Sequence, residues 1–177
     1  MEETRFSKCM GRIKSGDKNA LHEVYEEYIG YIYSIVLQVV QNREDAEDIT
    51  SEFFIKLWKL ADTYEEGGGH RAWLATIARN MAIDFLRKNK RELLLEEPDD
   101  GRMENPSNDN IEESVIADIS LKEALGNLKN NEREIMNLKI MGGLTFQEIA
   151  DILRTPIGTV TWRYRNAIDK IRRCGYE

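Results

Sequence analysis

Apolar residues in the stretch from 20 to 40 return every three or four positions: Leu21, Val24, Tyr25, Tyr28, Ile32, Ile35, Val36 and Val39. That spacing predicts a long α-helix with a wide buried stripe. Asn42 then stands as the N-cap of a second helix, and the first turn after it holds Glu44, Asp45, Glu47 and Asp48. Carboxylates there favour the positive end of the helix dipole. The core face of this helix reads Ala46, Ile49, Phe53, Leu57 and Leu60. Residues 64–70, YEEGGGH, must form a loop, because three adjacent glycines neither hold a helix nor pack a strand. A third helix turns Leu74, Ile77, Ala78, Met81 and Phe85 inward, with Arg71, Arg79, Arg87, Lys88, Lys90 and Arg91 around the rest. Three helices and one glycine loop predict a small bundle.

The period resumes after Ile111 and runs through Val115, Ile116, Ile119, Leu125 and Leu128. Asn131 caps a further helix, carrying Ile135, Met136, Leu138 and Ile140, which stops at Gly142-Gly143. Thr145, followed three residues later by Glu148, is a capping box that opens a short helix ending near Leu153. Thr155-Pro156 restarts the chain as N-cap and first helical position. Ile157, Val160, Tyr164, Ala167, Ile168 and Ile171 then share one face. Two helices joined by a tight turn, with small Ala150 at the close approach, predict a helix-turn-helix. Its outward set is Thr155, Gly158, Thr159, Thr161, Trp162, Arg163 and Arg165.

Charge refines this division. The 177 residues carry a formal net charge of −7. Residues 1–91 account for −1, residues 92–110 for −6 and residues 111–177 for zero. The middle stretch, ELLLEEPDDGRMENPSNDN, has no apolar period after Leu95 and reads as a flexible, solvated acidic linker. The expected fold is therefore all-α: two small helical domains, 1–91 and 111–177, joined by residues 92–110. Residues 154–173 hold six cations and one acid, Asp169, so the last helix makes a positive field inside a neutral domain. No apolar run approaches the roughly 18 residues of a membrane span, and the N-terminus lacks the apolar core of a signal peptide. Cys9 and Cys174 stand far apart and read as ordinary thiols, which fits a reducing cytoplasm and excludes a disulfide framework.

Three features carry candidate chemistry. The cluster Glu44, Asp45, Glu47, Asp48 and Glu52 is either dipole complementation or a divalent-cation site, though the facing helix offers only Asp84. The helix RAWLATIARNMAIDFLRKNKR combines a tryptophan with Asn80 and a run of cations, as a surface for stacked bases and phosphates does. The outward set of the last helix suits DNA: hydroxyls and amides for phosphate, arginines for base edges. His22 reads as a helix-surface residue and His70 as a loop-end residue.

Both halves, in this order, resemble the extracytoplasmic-function (ECF) class of bacterial RNA polymerase sigma factors. The likeness runs from about residue 17 to 173. It rests on EDAEDITSEFFIKLWK and HRAWLATIARNMAIDFLRK in the first half, and on LTFQEIADIL, PIGTV and the arginine-rich helix in the second. The resemblance implies a promoter-specificity subunit rather than an enzyme, monomeric when free and without cofactor or metal. It implies that Asp45, Asp48, Ser51, Glu52 and Phe53 dock on the clamp helices of the polymerase β′ subunit. The glycine loop and Trp73, Arg79, Asn80, Asp84, Arg87 and Lys88 would melt and hold the −10 element. Thr155, Gly158, Thr159, Thr161, Trp162, Arg163 and Arg165 would read the −35 element, with the second domain near the β flap. Family habit adds an anti-sigma partner. Departures are Ser51 where the family has Gln, Arg154 where it has Gly, Trp162 where it has Ser or a basic residue, and Asn166-Ala167 for Arg-Ala. A stand-alone helix-turn-helix regulator explains only the second half, and an all-α metal-dependent hydrolase explains only the acidic cluster.

Overall fold

A computed structural model describes residues 1–95 and 128–173. The first part contains α1 (Glu3–Lys14), α2 (Lys18–Val40), α3 (Arg43–Leu60), a 3₁₀ turn (Ala61–Thr63) and α4 (His70–Leu95). The second contains α5 (Asn130–Ile140), α6 (Phe146–Leu153) and α7 (Ile157–Arg173). No described helix is long and apolar enough to cross a membrane.

The bundle has one helix more than the glycine loop and three patterns imply. In α1, Phe6, Cys9, Met10 and Ile13 are buried at helical spacing. The signal was there in the sequence, but short. Cys9 is therefore a core residue rather than a surface thiol, and burial pushes its pKa up. Asp17 caps α2 by accepting from the amides of Asn19 (2.9 Å) and Ala20 (3.4 Å). Asn42 caps α3 as expected, accepting from the Asp45 amide at 3.0 Å. Ala46, Ile49, Phe53 and Leu57 are buried in α3, and Thr50 and Phe54 join them, whereas Leu60 is only half-buried. Helix α4 buries Leu74 and three alanines, Ala75, Ala78 and Ala82, which let its backbone lie close to α2 and α3. It continues to Leu95, past the start of the expected linker. The rest of that linker and the helix expected after Ile111 lie outside the described residues, apart from buried Leu128.

Lys129, not Asn131, precedes α5; its amide donates to Glu132 Oε2 at 2.9 Å, and Asn131 sits inside the first turn. The Thr145–Glu148 capping box is formed at both ends, at 3.2 and 2.7 Å. Arg154 ends α6 with φ 50° and ψ 46°, the left-handed conformation that favours glycine. Arg154→Gly is expected to preserve the fold and raise the unfolding free energy by up to about 1 kcal/mol, measured by urea denaturation. Destabilisation would show that the arginine side chain contributes more than its backbone costs. The Thr155 hydroxyl donates back to the Leu153 carbonyl at 3.2 Å, and the Pro156 carbonyl receives the first α7 amide bonds instead. Val160 and Ala167 are buried as expected; Ile157, at the first helical position, stays 46% exposed.

The two halves pack against each other across α2 and α4. Asn137 on α5 donates to the Ser34 carbonyl at 2.9 Å and receives the Ser34 hydroxyl at 3.3 Å. Arg71 donates to the Gly142 carbonyl at 3.3 Å, and Arg79 to Glu134 at 2.8 Å. A Cβ added at Gly142 would lie 2.8 Å from the Tyr31 hydroxyl and 2.5 Å from the Leu138 carbonyl, so only glycine allows this approach. Ile135, Leu138, Leu144, Ile149, Ala150 and Val160 share one apolar core with α1–α4. Two patterned helical domains thus close into one body over the described residues.

Candidate polymerase and nucleic-acid surfaces

Helix α3 splits its residues cleanly. Asp48, Ser51 and Glu52 are exposed and Asp45 is half-buried, along one outer face. The Ser51 hydroxyl folds back to the Glu47 carbonyl at 2.9 Å. Phe53, which the resemblance brings to the interface and the periodicity to the core, is fully buried and cannot touch a partner. Its place on the outer face falls to Ile55, 63% exposed and one turn beyond Ser51 and Glu52. The run Phe53-Phe54-Ile55 held that signal, since a helix turns three consecutive residues through most of a circle and cannot bury them all.

The start of α4 is held from α1. Glu3 accepts from the His70 amide at 3.2 Å and from the Tyr64 hydroxyl at 2.7 Å, and its carboxylate also receives His70 Nδ1–H. On the other side of the ring, His70 Nε2 is hydrogen-bonded to the Tyr28 hydroxyl at 2.6 Å. Phe6 stacks on the same imidazole, centroids 4.7 Å apart. His70 is thus a buried helix-start residue and not a loop end. Glu3 supplies from a distant helix the cap that α4's first amide needs. Burial alone would push the Glu3 carboxyl up, but the hydrogen bonds from His70 and Tyr64 outweigh it and bring its pKa from 4.5 to about 2. Burial pushes the Tyr28 and Tyr64 phenols up to about 12, which keeps both as donors. A depressed carboxyl stabilises the fold above its ordinary pKa, and that contribution fades as pH falls from about 4.5 towards about 2. Glu3→Gln is expected to flatten the fall in urea midpoint between these values. Identical acid slopes for the two proteins would contradict this linkage.

Along α4, Asn80 near its middle and Asp84, Arg87 and Lys88 beyond it are exposed, with Asp84 and Arg87 3.5 Å apart. Trp73 belongs to another set. Its ring packs edge-on against Tyr64 at 5.2 Å and Phe6 at 6.5 Å, so it is half-buried and is committed to the bundle instead of an unstacked base. Arg79 is committed as well: it and Glu134 form an ion pair in which each side chain is 21% exposed. The preceding loop also meets the second half, because a Cβ at Gly69 would lie 3.0 Å from Glu148 Oε1.

On α7, Gly158, Trp162 and Arg165 are exposed, and Thr155, Thr159, Thr161 and Arg163 are half-buried. The Thr161 hydroxyl donates to the Ile157 carbonyl at 2.8 Å. Two of the three threonine hydroxyls expected to face DNA are therefore donated to backbone carbonyls. His22 lies on the surface beside Glu26 at 3.3 Å, as expected. Cys174 lies outside the described residues.

These surfaces coincide with the family matches. Sigma-70 region 2 matches residues 24–92 and sigma-70 region 4 matches residues 124–173, together more than half of the chain. The chain is 28% identical over 185 residues to the ECF RNA polymerase sigma factor SigW of Bacillus subtilis (strain 168), covering 97% of each chain. It is 27% identical over 167 residues to SigK of Mycobacterium ulcerans (strain Agy99), covering 92% of this chain and 89% of that one. The fold is shared with RpoE of Bartonella quintana, solved with the anti-sigma factor NepR, at TM-score 0.63 and 22% identity over 86% of this chain and 94% of that one. It is also shared with CnrH, solved with the cytosolic domain of CnrY, at TM-score 0.62, 19% identity and 96% coverage of both. With both regions matched in order, and relatives aligned over nearly their whole length, the chain belongs to the ECF class of RNA polymerase sigma factors.

Proposed function

We propose that the three exposed surfaces divide the work of promoter recognition. The outer face of α3, with Asp45, Asp48, Ser51, Glu52 and Ile55, docks on the polymerase β′ clamp helices. The middle and later turns of α4, with Asn80, Asp84, Arg87 and Lys88, hold the non-template strand of the melted −10 element. Helix α7 reads the −35 element while its domain sits near the β flap. The observation that carries this division is the exposure of Asn80 and Arg87 on α4 and of Gly158, Trp162 and Arg165 on α7, on two modules that match separate family regions.

The protein works in the cytoplasm, is monomeric when free, and acts through binding rather than catalysis. The closed packing ties Arg79 to Glu134 and sets the glycine loop beside Glu148, so both are engaged until the second module moves away. Core polymerase supplies the separation: the residues of 96–110, beyond the end of α4, can span about 50 Å at about 3.3 Å each, enough to place the modules on two promoter elements. Tethering to the enzyme then raises the effective DNA concentration for a module that binds weakly alone. An anti-sigma protein would act by holding the modules together, as a partner is present in both solved relatives.

Run-off transcription with core polymerase tests the division. Arg165→Ala is expected to lower initiation about tenfold, at the step of upstream recognition, an effect relieved on promoters that do not need a −35 element. Asn80→Ala is expected to leave that recognition intact and slow strand opening, read by permanganate reactivity of unpaired thymines. Unchanged upstream recognition in Arg165→Ala, together with unchanged strand opening in Asn80→Ala, would show that the surfaces are wrongly placed.

A further inference from the structure

The recognition helix presents one large apolar side chain where polar readout is expected. Trp162 is 63% exposed. Counting about 3.6 residues per turn, it stands on α7 directly opposite the buried Val160–Ala167 side. Gly158, one turn earlier, is exposed, and a Cβ there would meet nothing within 4 Å. Helical side chains lean towards the N-terminus, so Trp162 projects towards this bare turn. Of the three threonine hydroxyls nearby, two are spent, Thr155 on Leu153 and Thr161 on Ile157. Arg163 and Arg165 follow it within one turn, and Asp169, the single acid of residues 154–173, lies two turns further on, away from the end that enters a groove first.

An exposed tryptophan beside two arginines is a composition also found at protein interfaces, but here the six cations against one acid of residues 154–173 favour a partner of dense negative charge. Such a tryptophan suits an anionic partner that carries an isolated apolar group. Among the base edges in the major groove, the thymine 5-methyl is that group. We propose that Trp162 is a specificity-determining residue of the upstream contact and reads thymine through its methyl group. This rests on the assignment of α7 to the −35 element and names the base chemistry it takes.

The test uses the full chain with core polymerase. Upstream elements are selected from a randomised library by open-complex formation, and each thymine of the selected element is then replaced singly by deoxyuridine, which removes only the methyl. Replacement at one position is expected to lower open-complex formation about fourfold, the scale of one buried methyl-sized group. Trp162→Ala should show the same loss on the thymine promoter and no response to deoxyuridine. A selected element without thymine, a wild-type protein indifferent to every replacement, or a Trp162→Ala protein as sensitive as wild type would overturn the proposal. None of these outcomes touches the wider reading, which fails separately if no upstream element is selected at all.

Discussion

Phe6→Ala is expected to lower the unfolding free energy by about 3–5 kcal/mol, a large part of the 5–15 kcal/mol typical of a folded domain. The ring is fully buried in α1. It meets Tyr64 edge-on at 5.1 Å, Tyr28 at 5.8 Å and Trp73 at 6.5 Å, and stacks on His70 at 4.7 Å. Removing it leaves a void bounded by four large rings, all tied by further contacts and unable to collapse inwards. The void would also loosen the point where Glu3 and His70 fix the start of α4, so strand opening should suffer along with stability. Phe6→Leu, which refills most of the volume, should recover over half of the loss. Urea unfolding of the three proteins measures both steps. A cost for Phe6→Ala under about 1 kcal/mol would mean that α1 is not docked in solution.

Opening the closed form should have the second large effect. Glu134 and Asn137 stand one turn apart on α5, and each reaches across to the first module. Glu134 accepts from Arg79 at 2.8 Å in a half-buried site; losing a hydrogen bond to a charged partner costs about 1.5–3 kcal/mol. Asn137 exchanges two bonds with Ser34, each worth about 1 kcal/mol. Glu134→Ala combined with Asn137→Ala is expected to raise the ratio of open to closed molecules about a thousandfold. The free double variant should show a larger radius of gyration by small-angle X-ray scattering, and it should bind −10 single strands more tightly because Arg79 is released. Core polymerase should produce the same separation in the unaltered protein. Equal radii for variant and parent would show that the apolar contacts around Tyr31, Ile135 and Leu138 suffice to hold the modules together.

In α3 the period places Phe53 inside and the resemblance places it on the interface; the structure keeps it inside and leaves Ile55 exposed. Trp73 has the composition of a base-stacking residue, but Tyr64 and Phe6, from a loop and a helix unseen in the pattern, take its ring. Arg79 reads as a phosphate contact until Glu134, 55 residues away, is brought beside it. His70 looked like a loop end because Glu3, 67 residues earlier, carries no local mark as its partner.

By itself, the amino-acid order determined what depends on neighbours a few residues apart. The faces of α2 and α3, the Asn42 cap, the Thr145–Glu148 box, the bend at Arg154 and the strings shared with the ECF class are all of this kind. Short-range hydrogen bonds and the helical repeat act within one or two turns, so they leave a readable spacing. Only the tertiary structure decided which polar groups are spent on distant partners, which apolar ones remain outside, and that the two modules lie against each other. Those outcomes depend on which surfaces meet after the helices form, and a pairing between residues far apart leaves no periodic trace in one chain.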